Sequence, residues 1–374
     1  MIWILSPIIV LLVLAVRAVD VFPPRFWAED LPIFVHAAQW DGAASIIHPY
    51  AGYLHFIPRI IAYAGTLLPV EVLPEWFLGG VLLVTAWCAA IIARSIGGFT
   101  GIAASLALVL ASGWNEPIGS ITNLQWLTAP TLLVLSLRPA TIAHFEGITF
   151  AVVASLTGPF SVAFGPIFAF QSVRSYLSSK SINWVALIAL FGGVIQFLFV
   201  VTTYESTAKT TDPHFLFVFG RLLQLAAGNG VSGIVVFLLI AGMSCLGRSG
   251  RIDRFLLIFA VGTISAMAAA KFQYEYQLFA SGEVGQRYWY IPSILLMVCA
   301  AMTAKQNIGL LRWLAVACFV AIPLLDIANA GWVRHWNWTS DNWKRAVAQS
   351  YIAPVGYKFA PDWLVTLKDG SIEH

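Results

Sequence analysis

Apolar runs bounded by charge, proline or glycine recur along the whole chain: 1–19, 76–96, 99–113, 124–137, 147–158, 160–174, 183–203, 231–246, 255–270, 287–304 and 308–328. A stretch such as 255–270, FLLIFAVGTISAMAAA, has no charged side chain to hold it in water. Its backbone can enter hydrocarbon only as a helix, which satisfies its own N–H and C=O groups. Repeated eleven times, that demand leaves an all-α polytopic membrane protein with about eleven transmembrane helices. Composition agrees, at 59% hydrophobic and 10% charged against roughly 25% charge in a soluble domain. Several runs fall short of the ~20 residues that span a bilayer, so tilt, breaks or burial must help them across. The 147–174 stretch divides at TGPF into two of the eleven.

The first run is read as a retained span, because it lacks the basic start of a cleavable leader. Charge then sets the orientation. With a cytoplasmic N-terminus, the inside loops carry Arg94, Arg138, Arg174, Lys180, Arg248, Arg251, Arg254, Lys305 and Arg312 against only Glu146 and Asp253. That bias follows the positive-inside rule and puts the C-terminus outside. Residues 1–328 form the membrane domain. Within it, 20–75 make a large first outer loop of short amphipathic pieces that lie in the interface. The Trp-rich tail, 329–374, packs back on the outer membrane face.

A net charge of +3 without a Lys/Arg cluster excludes a nucleic-acid partner. Cys88, Cys245, Cys299 and Cys318 all sit in apolar runs with no paired spacing and read as small core residues. No cluster has metal-ligand spacing and no cofactor is expected. Carboxylate-rich outer loops leave divalent-metal dependence open.

Nearly all remaining polar chemistry falls on one face. RFWAEDLPIF (25–34) sets Glu29 and Asp30 beside Arg25, Phe26 and Trp27. An acidic residue at a helix start caps free N–H groups, and Pro32 suits that position. One carboxylate suffices for a cap, so the second points to chemistry in a low-dielectric surround. In HPYAGYLHFIPRI (48–60), His55 and Arg59 are four apart and share a helix face, a candidate anion contact. Tyr50 reads as interfacial packing. Arg287, in GQRYWYIPS, is either a lipid anchor or a bidentate phosphate ligand, and Lys271 is a weaker equivalent. Tyr53, His55 and Glu116, the last in GWNEPIGSITNLQW, are the expected substrate contacts.

Together FWAEDLPIF, HPYAGYLHFIPRI, LTGPFS, QRYWYIPS and the tail's IAPVGYKFAPDW resemble bacterial membrane glycosyltransferases of the GT-C superfamily, over most of the chain. The resemblance implies a bacterial inner-membrane enzyme that takes a hexose from a polyprenyl-phosphate donor to a glycan or lipid-linked acceptor, near surface-polysaccharide or O-antigen functions. It also implies a general base in the first outer loop, here Asp30 or Glu29. The protein mannosyltransferases carry this pair as Asp-Glu, whereas the order here is Glu29-Asp30. Asp30 is the first choice for the base, with Glu29 orienting it or sharing the work.

Read without the resemblance, transfer from a lipid-phosphate sugar needs a carboxylate to take the acceptor proton and cations to hold the leaving phosphate. Arg287, Arg59 and Lys271 are the candidate cations. A flippase for a lipid-linked saccharide is the alternative, but it should place ionisable groups near the bilayer midplane, where this chain has almost none. A membrane acyltransferase with His48 or His55 as base is a third class, with no further motif behind it.

Overall fold

The computed structural model describes residues 2–18, 24, 26–114, 117–138, 144–203, 214–246, 250–280, 285–330, 342–359 and 363–373, and 78% of it is helical. The helices are α1 (Leu5–Arg17), α2 (His36–Asp41), α3 (Phe56–Gly65), α4 (Leu73–Ile96), α5 (Gly98–Ser105), α6 (Ala107–Leu110), α7 (Gln125–Leu137), α8 (His144–Ser155) and α9 (Phe160–Ala163). They continue with α10 (Gly165–Ser179), α11 (Trp184–Thr203), α12 (Phe215–Ala226), α13 (Gly230–Leu246), α14 (Arg251–Phe272), α15 (Gln277–Ala280), α16 (Arg287–Gln306), α17 (Gly309–Ala330) and α18 (Trp343–Ser350). Strands β1 (Pro49–Tyr50) and β2 (Tyr53–Leu54) form a hairpin, and β3 (Val355–Phe359), β4 (Trp363–Lys368) and β5 (Ser371–Glu373) an antiparallel sheet.

Each expected apolar run is helical over much of its length, but not each helix is long enough by itself to cross a bilayer. Among the described residues five helices are long and apolar enough to span a bilayer, and a sixth if α12 and α13, bent by 82° at their junction, count as one. Several others fall short: α1 and α7 have 13 residues each, about 20 Å at 1.5 Å per residue against a core of roughly 30 Å. The result is a mostly helical, multi-pass membrane architecture.

The helices sort by what surrounds them. In α16, almost every side chain from Trp289 to Thr303 is buried, as expected for a helix apolar all round and placed at the centre. α5, α7, α12, α13, α14 and α17 pack around it. α11 lies at the edge: Phe191, Val194, Leu198 and Val201 are exposed, while Ala186, Ala189 and Gln196 turn inward. In water such a stripe would be a liability; against lipid tails it is the ordinary outer surface.

The 147–174 stretch breaks where TGPF sits, with α8 ending at Ser155 and α9 starting at Phe160. The freed backbone groups are taken up by the first loop. Phe56 N–H donates to Leu156 O at 3.2 Å, Gly158 N–H to Leu54 O at 2.8 Å, and Ile57 N–H to Thr157 Oγ1 at 3.1 Å. On its other side, Leu54 pairs with the fully buried Gln196 of α11, whose amide accepts from its N–H at 2.8 Å and donates to its C=O at 3.1 Å. A side-chain amide thus stands in for a neighbouring strand. Gly158 has φ +87°, and a Cβ there would run into the side chain of Gln125.

Charge separates the two ends of the bundle. At one end Arg94 binds Glu146 through both guanidinium nitrogens, Arg138 and Arg174 meet Asp253, and Lys305 reaches the C-terminus of α4. At the other end are the first loop and the tail. The expectation of an all-α fold is corrected there, since the described part of the tail holds α18 and the β3–β4–β5 sheet. This unit docks on the first loop: Trp343 donates to Val70 O at 2.8 Å and packs edge-on against Phe26, and Ile372 N–H donates to Gln39 Oε1. Alternation decides the sheet, with Tyr357, Phe359, Val365 and Leu367 buried on one face.

Candidate active site

Adjacent residues of the acidic pair face opposite ways. Ala28 is held at φ +34°, a conformation that costs an L-residue on the order of 1 kcal/mol or more. The turn it makes buries Asp30 completely and leaves Glu29 half-buried on a cavity wall. Asp30 Oδ2 accepts from Trp27 N–H at 2.9 Å, while Oδ1 accepts from Thr122 N–H at 3.2 Å and from its hydroxyl at 2.7 Å. Burial pushes the Asp30 carboxyl up to about 7, although these hydrogen bonds pull it down. Asp30 is therefore a latch between the first loop and the start of α7. The sequence expectation that put it first as proton acceptor meets a side chain that does not line the cavity.

The cavity holds about 260 Å³. It is walled by the β1–β2 hairpin, the start of α7, the TGPF break, α14 and the start of α16. In the hairpin, Ala51 and Gly52 both have positive φ, and Tyr50 pairs directly with Tyr53, the geometry of a tight two-residue turn. That turn sets both phenols into the cavity wall. Burial raises the Tyr53 hydroxyl to about 12, with Gln125 pulling it down; Arg287 and Glu29 lie near enough to act on it in opposite directions. Tyr50 is raised by burial in the same company.

Arg287 and Lys271 also line the cavity, both near the Tyr288 ring. Arg287 Cζ lies 5.4 Å from that ring and Lys271 Nζ 5.9 Å, close enough for cation–π attraction. A carboxylate and two cations thus share one space.

The other expected residues fall differently. His55 lines the cavity and is 2% exposed, enclosed by Phe34, Tyr50 and Tyr53. Burial, and then the Arg59 charge, lower its pKa to about 3, so the imidazole is neutral. His48, the other candidate base, is half exposed and faces Asp41 at 3.3 Å. Arg59 is buried behind His55, over the Phe34 ring at 5.3 Å, and does not line the cavity. The expectation of a direct phosphate contact meets a guanidinium set back from the cavity. Glu116 and Arg25 lie outside the described residues.

Sequence reasoning named Gln125 only as one polar residue of the outer face and passed over Trp126 and the α14 wall. Gln125 and Trp126, at the start of α7, line the cavity, and Ile264, Met267 and Ala268 of α14 form its apolar wall. The QW dipeptide at the head of an apolar run was the available signal. A buried network near this end was also missed: Arg17 meets Asp326 at 3.4 Å, lies 4.5 Å from the Trp114 ring and donates to Val109 O, while Ser112 donates to Asp326. Among the described residues no group of three His, Cys, Asp or Glu side chains is placed to hold a metal. The chain matches no family model, no curated protein and no solved structure.

Proposed function

We propose that the chain is an inverting glycosyltransferase. It moves a hexose from a polyprenyl-phosphate donor to a hydroxyl of a glycan or lipid-linked glycan, on the periplasmic face of a bacterial inner membrane. The observation that carries this reading is the one cavity that joins Glu29, Lys271 and Arg287 to an apolar wall on α14, whose Met267 is half exposed. A soluble sugar nucleotide has no use for such a wall; an isoprenoid does. The reading keeps eleven crossings, with the shorter helices crossing as broken or buried segments.

In this reading Glu29 takes the acceptor hydroxyl proton as the oxygen attacks the anomeric carbon from the face opposite the phosphate. The bond from that carbon to the phosphate oxygen breaks, and the polyprenyl phosphate leaves with the electron pair. Arg287 and Lys271 hold the developing charge in a site of low dielectric. The acceptor hydroxyl and the reacting carbon are held together, which removes much of the entropic barrier.

The buried Arg17–Asp326 pair favours a second reading, a flippase for a lipid-linked saccharide, because ionisable groups inside a bundle mark transport paths. The two are separated by reconstituting the purified protein in proteoliposomes with polyprenyl-phosphate hexose labelled in the sugar. A transferase moves label into added acceptor glycan and releases polyprenyl phosphate in equal amount. Label that crosses the bilayer still attached to its lipid would replace the transferase with the flippase.

A further inference from the structure

Four polar atoms in the cavity region lack hydrogen-bond partners: Gln125 Oε1, Trp126 Nε1 and both ring nitrogens of His55. The three side chains belong to residues that are 4%, 6% and 2% exposed. Gln125 lies beside the Tyr53 hydroxyl and the Tyr50 backbone beside the imidazole, neither contact satisfying the four atoms. Unsatisfied buried polar groups each cost about 1–3 kcal/mol, and three side chains around one space are a built recognition surface rather than an accident of packing. The neutral imidazole offers one donor and one acceptor, Gln125 Oε1 an acceptor and the indole a donor. That mixture matches hydroxyls, which both give and take a hydrogen bond. Around it stand the rings of Tyr50, Tyr53 and Tyr288, apolar faces for the C–H side of a pyranose.

We propose that His55, Gln125 and Trp126 form a subsite for an uncharged hexose ring, one that selects neutral sugars over uronic acids and amino sugars. The inference rests on the transferase reading, which assigns Glu29 to the acceptor proton and Lys271 and Arg287 to the phosphate. A uronic acid carboxylate then finds no cation to contact, since Arg59 does not line the cavity, and it shares that cavity with the Glu29 carboxylate. A protonated amine meets the field of Arg59, buried behind His55. The Gly158 turn keeps Gln125 in place by packing directly on its side chain.

Binding to the full-length protein in nanodiscs tests this, by scintillation proximity with tritiated polyprenyl phosphate and its hexose, hexuronic acid and unacetylated amino-hexose derivatives. The hexose derivative should bind at least tenfold more tightly than the bare lipid phosphate and than either charged sugar. Gln125→Ala and Trp126→Phe should each weaken hexose binding roughly fivefold to tenfold, the effect of one lost hydrogen bond, and leave the bare lipid within about twofold. Trp126→Phe keeps the ring that packs on Phe160 and Tyr288, so a folding defect is not the cause. Equal losses for every lipid, or tighter binding of a charged sugar, overturn the subsite. Methyl hexosides at millimolar concentration separate the two claims. If they bind, and both variants abolish this, while no polyprenyl phosphate binds, the subsite stands and the donor reading falls. If the lipids bind without preference for hexose, the donor reading stands and the subsite falls.

Discussion

Thr122 donates both its backbone N–H, at 3.2 Å, and its hydroxyl, at 2.7 Å, to one oxygen of Asp30. This clasp ties the first loop to the start of α7 and fixes two walls of the cavity relative to one another. With Asp30 occupied as the clasp, the carboxylate of the pair that lines the cavity is Glu29.

Asp30→Ala should therefore act on folding first. It removes the acceptor for three donors, and a hydrogen bond to a charged group is worth about 1.5–3 kcal/mol. Thermal unfolding in detergent should show a clear loss of stability, with Thr122→Val losing part of it. Wild-type stability in Asp30→Ala would show that the clasp holds nothing.

The pH dependence has a definite sign. Asp30 binds its proton more tightly in the fold, so its contribution is full below about pH 4, falls as the pH rises toward about 7 and is flat above. His55 acts oppositely: its lowered pKa makes stability fall as the pH drops from about 6.5 toward 3. Glu29 sits beside the first group and Arg59 beside the second. The difference in stability between wild type and Asp30→Asn should shift against wild type from pH 4 to 7. A difference constant with pH in unfolding experiments would contradict the buried, shifted carboxyl.

Gln196→Leu should destabilise the protein by a few kcal/mol although leucine suits a bilayer. It leaves the N–H of Leu54 without a partner in a buried place and takes one of two donors from its C=O, which keeps the Gly158 N–H. Gln196→Glu keeps the acceptor and loses the donor, and should fall between. The measurement is thermal unfolding, and an unchanged Leu variant would show that Leu54 is not held from α11.

Arg287→Ala should weaken binding of polyprenyl-phosphate hexose by roughly tenfold or more, and Arg287→Lys should recover part of it, because an ammonium lacks the planar two-pronged donor. Equilibrium binding with labelled donor reads this directly. Equal donor affinity in all three proteins would leave Arg287 as a lipid anchor.

Much of the helical plan was legible in local pattern. The runs 76–96, 183–203, 255–270 and 287–304 return as α4, α11, α14 and α16, with limits shifted by a few residues. The TGPF break was legible too, because glycine and proline interrupt a helix wherever they fall together. What escaped depends on distance along the chain. Arg17 and Asp326 are 309 residues apart, and nothing near either announces the other. Gln196 looks like an isolated polar residue until Leu54 arrives beside it. The number of full crossings was not legible either, since a 13-residue apolar helix reads alike whether it spans or is buried. In the acidic pair, residue type showed that the position matters. The division of labour was set by the turn at Ala28, where an unfavoured backbone angle sends one carboxylate inward and the other to the cavity.

The account turns on Glu29, and its turnover is the most direct measure. Glu29→Gln keeps size and polarity but cannot take a proton. In proteoliposomes it should bind polyprenyl-phosphate hexose within about twofold of wild type, unfold at the same temperature, and transfer sugar more slowly by a factor on the order of 10² to 10⁴, the range for a lost general base. Transfer at the wild-type rate by Glu29→Gln would contradict the assignment of the base and, with it, the chemical case for a glycosyltransferase.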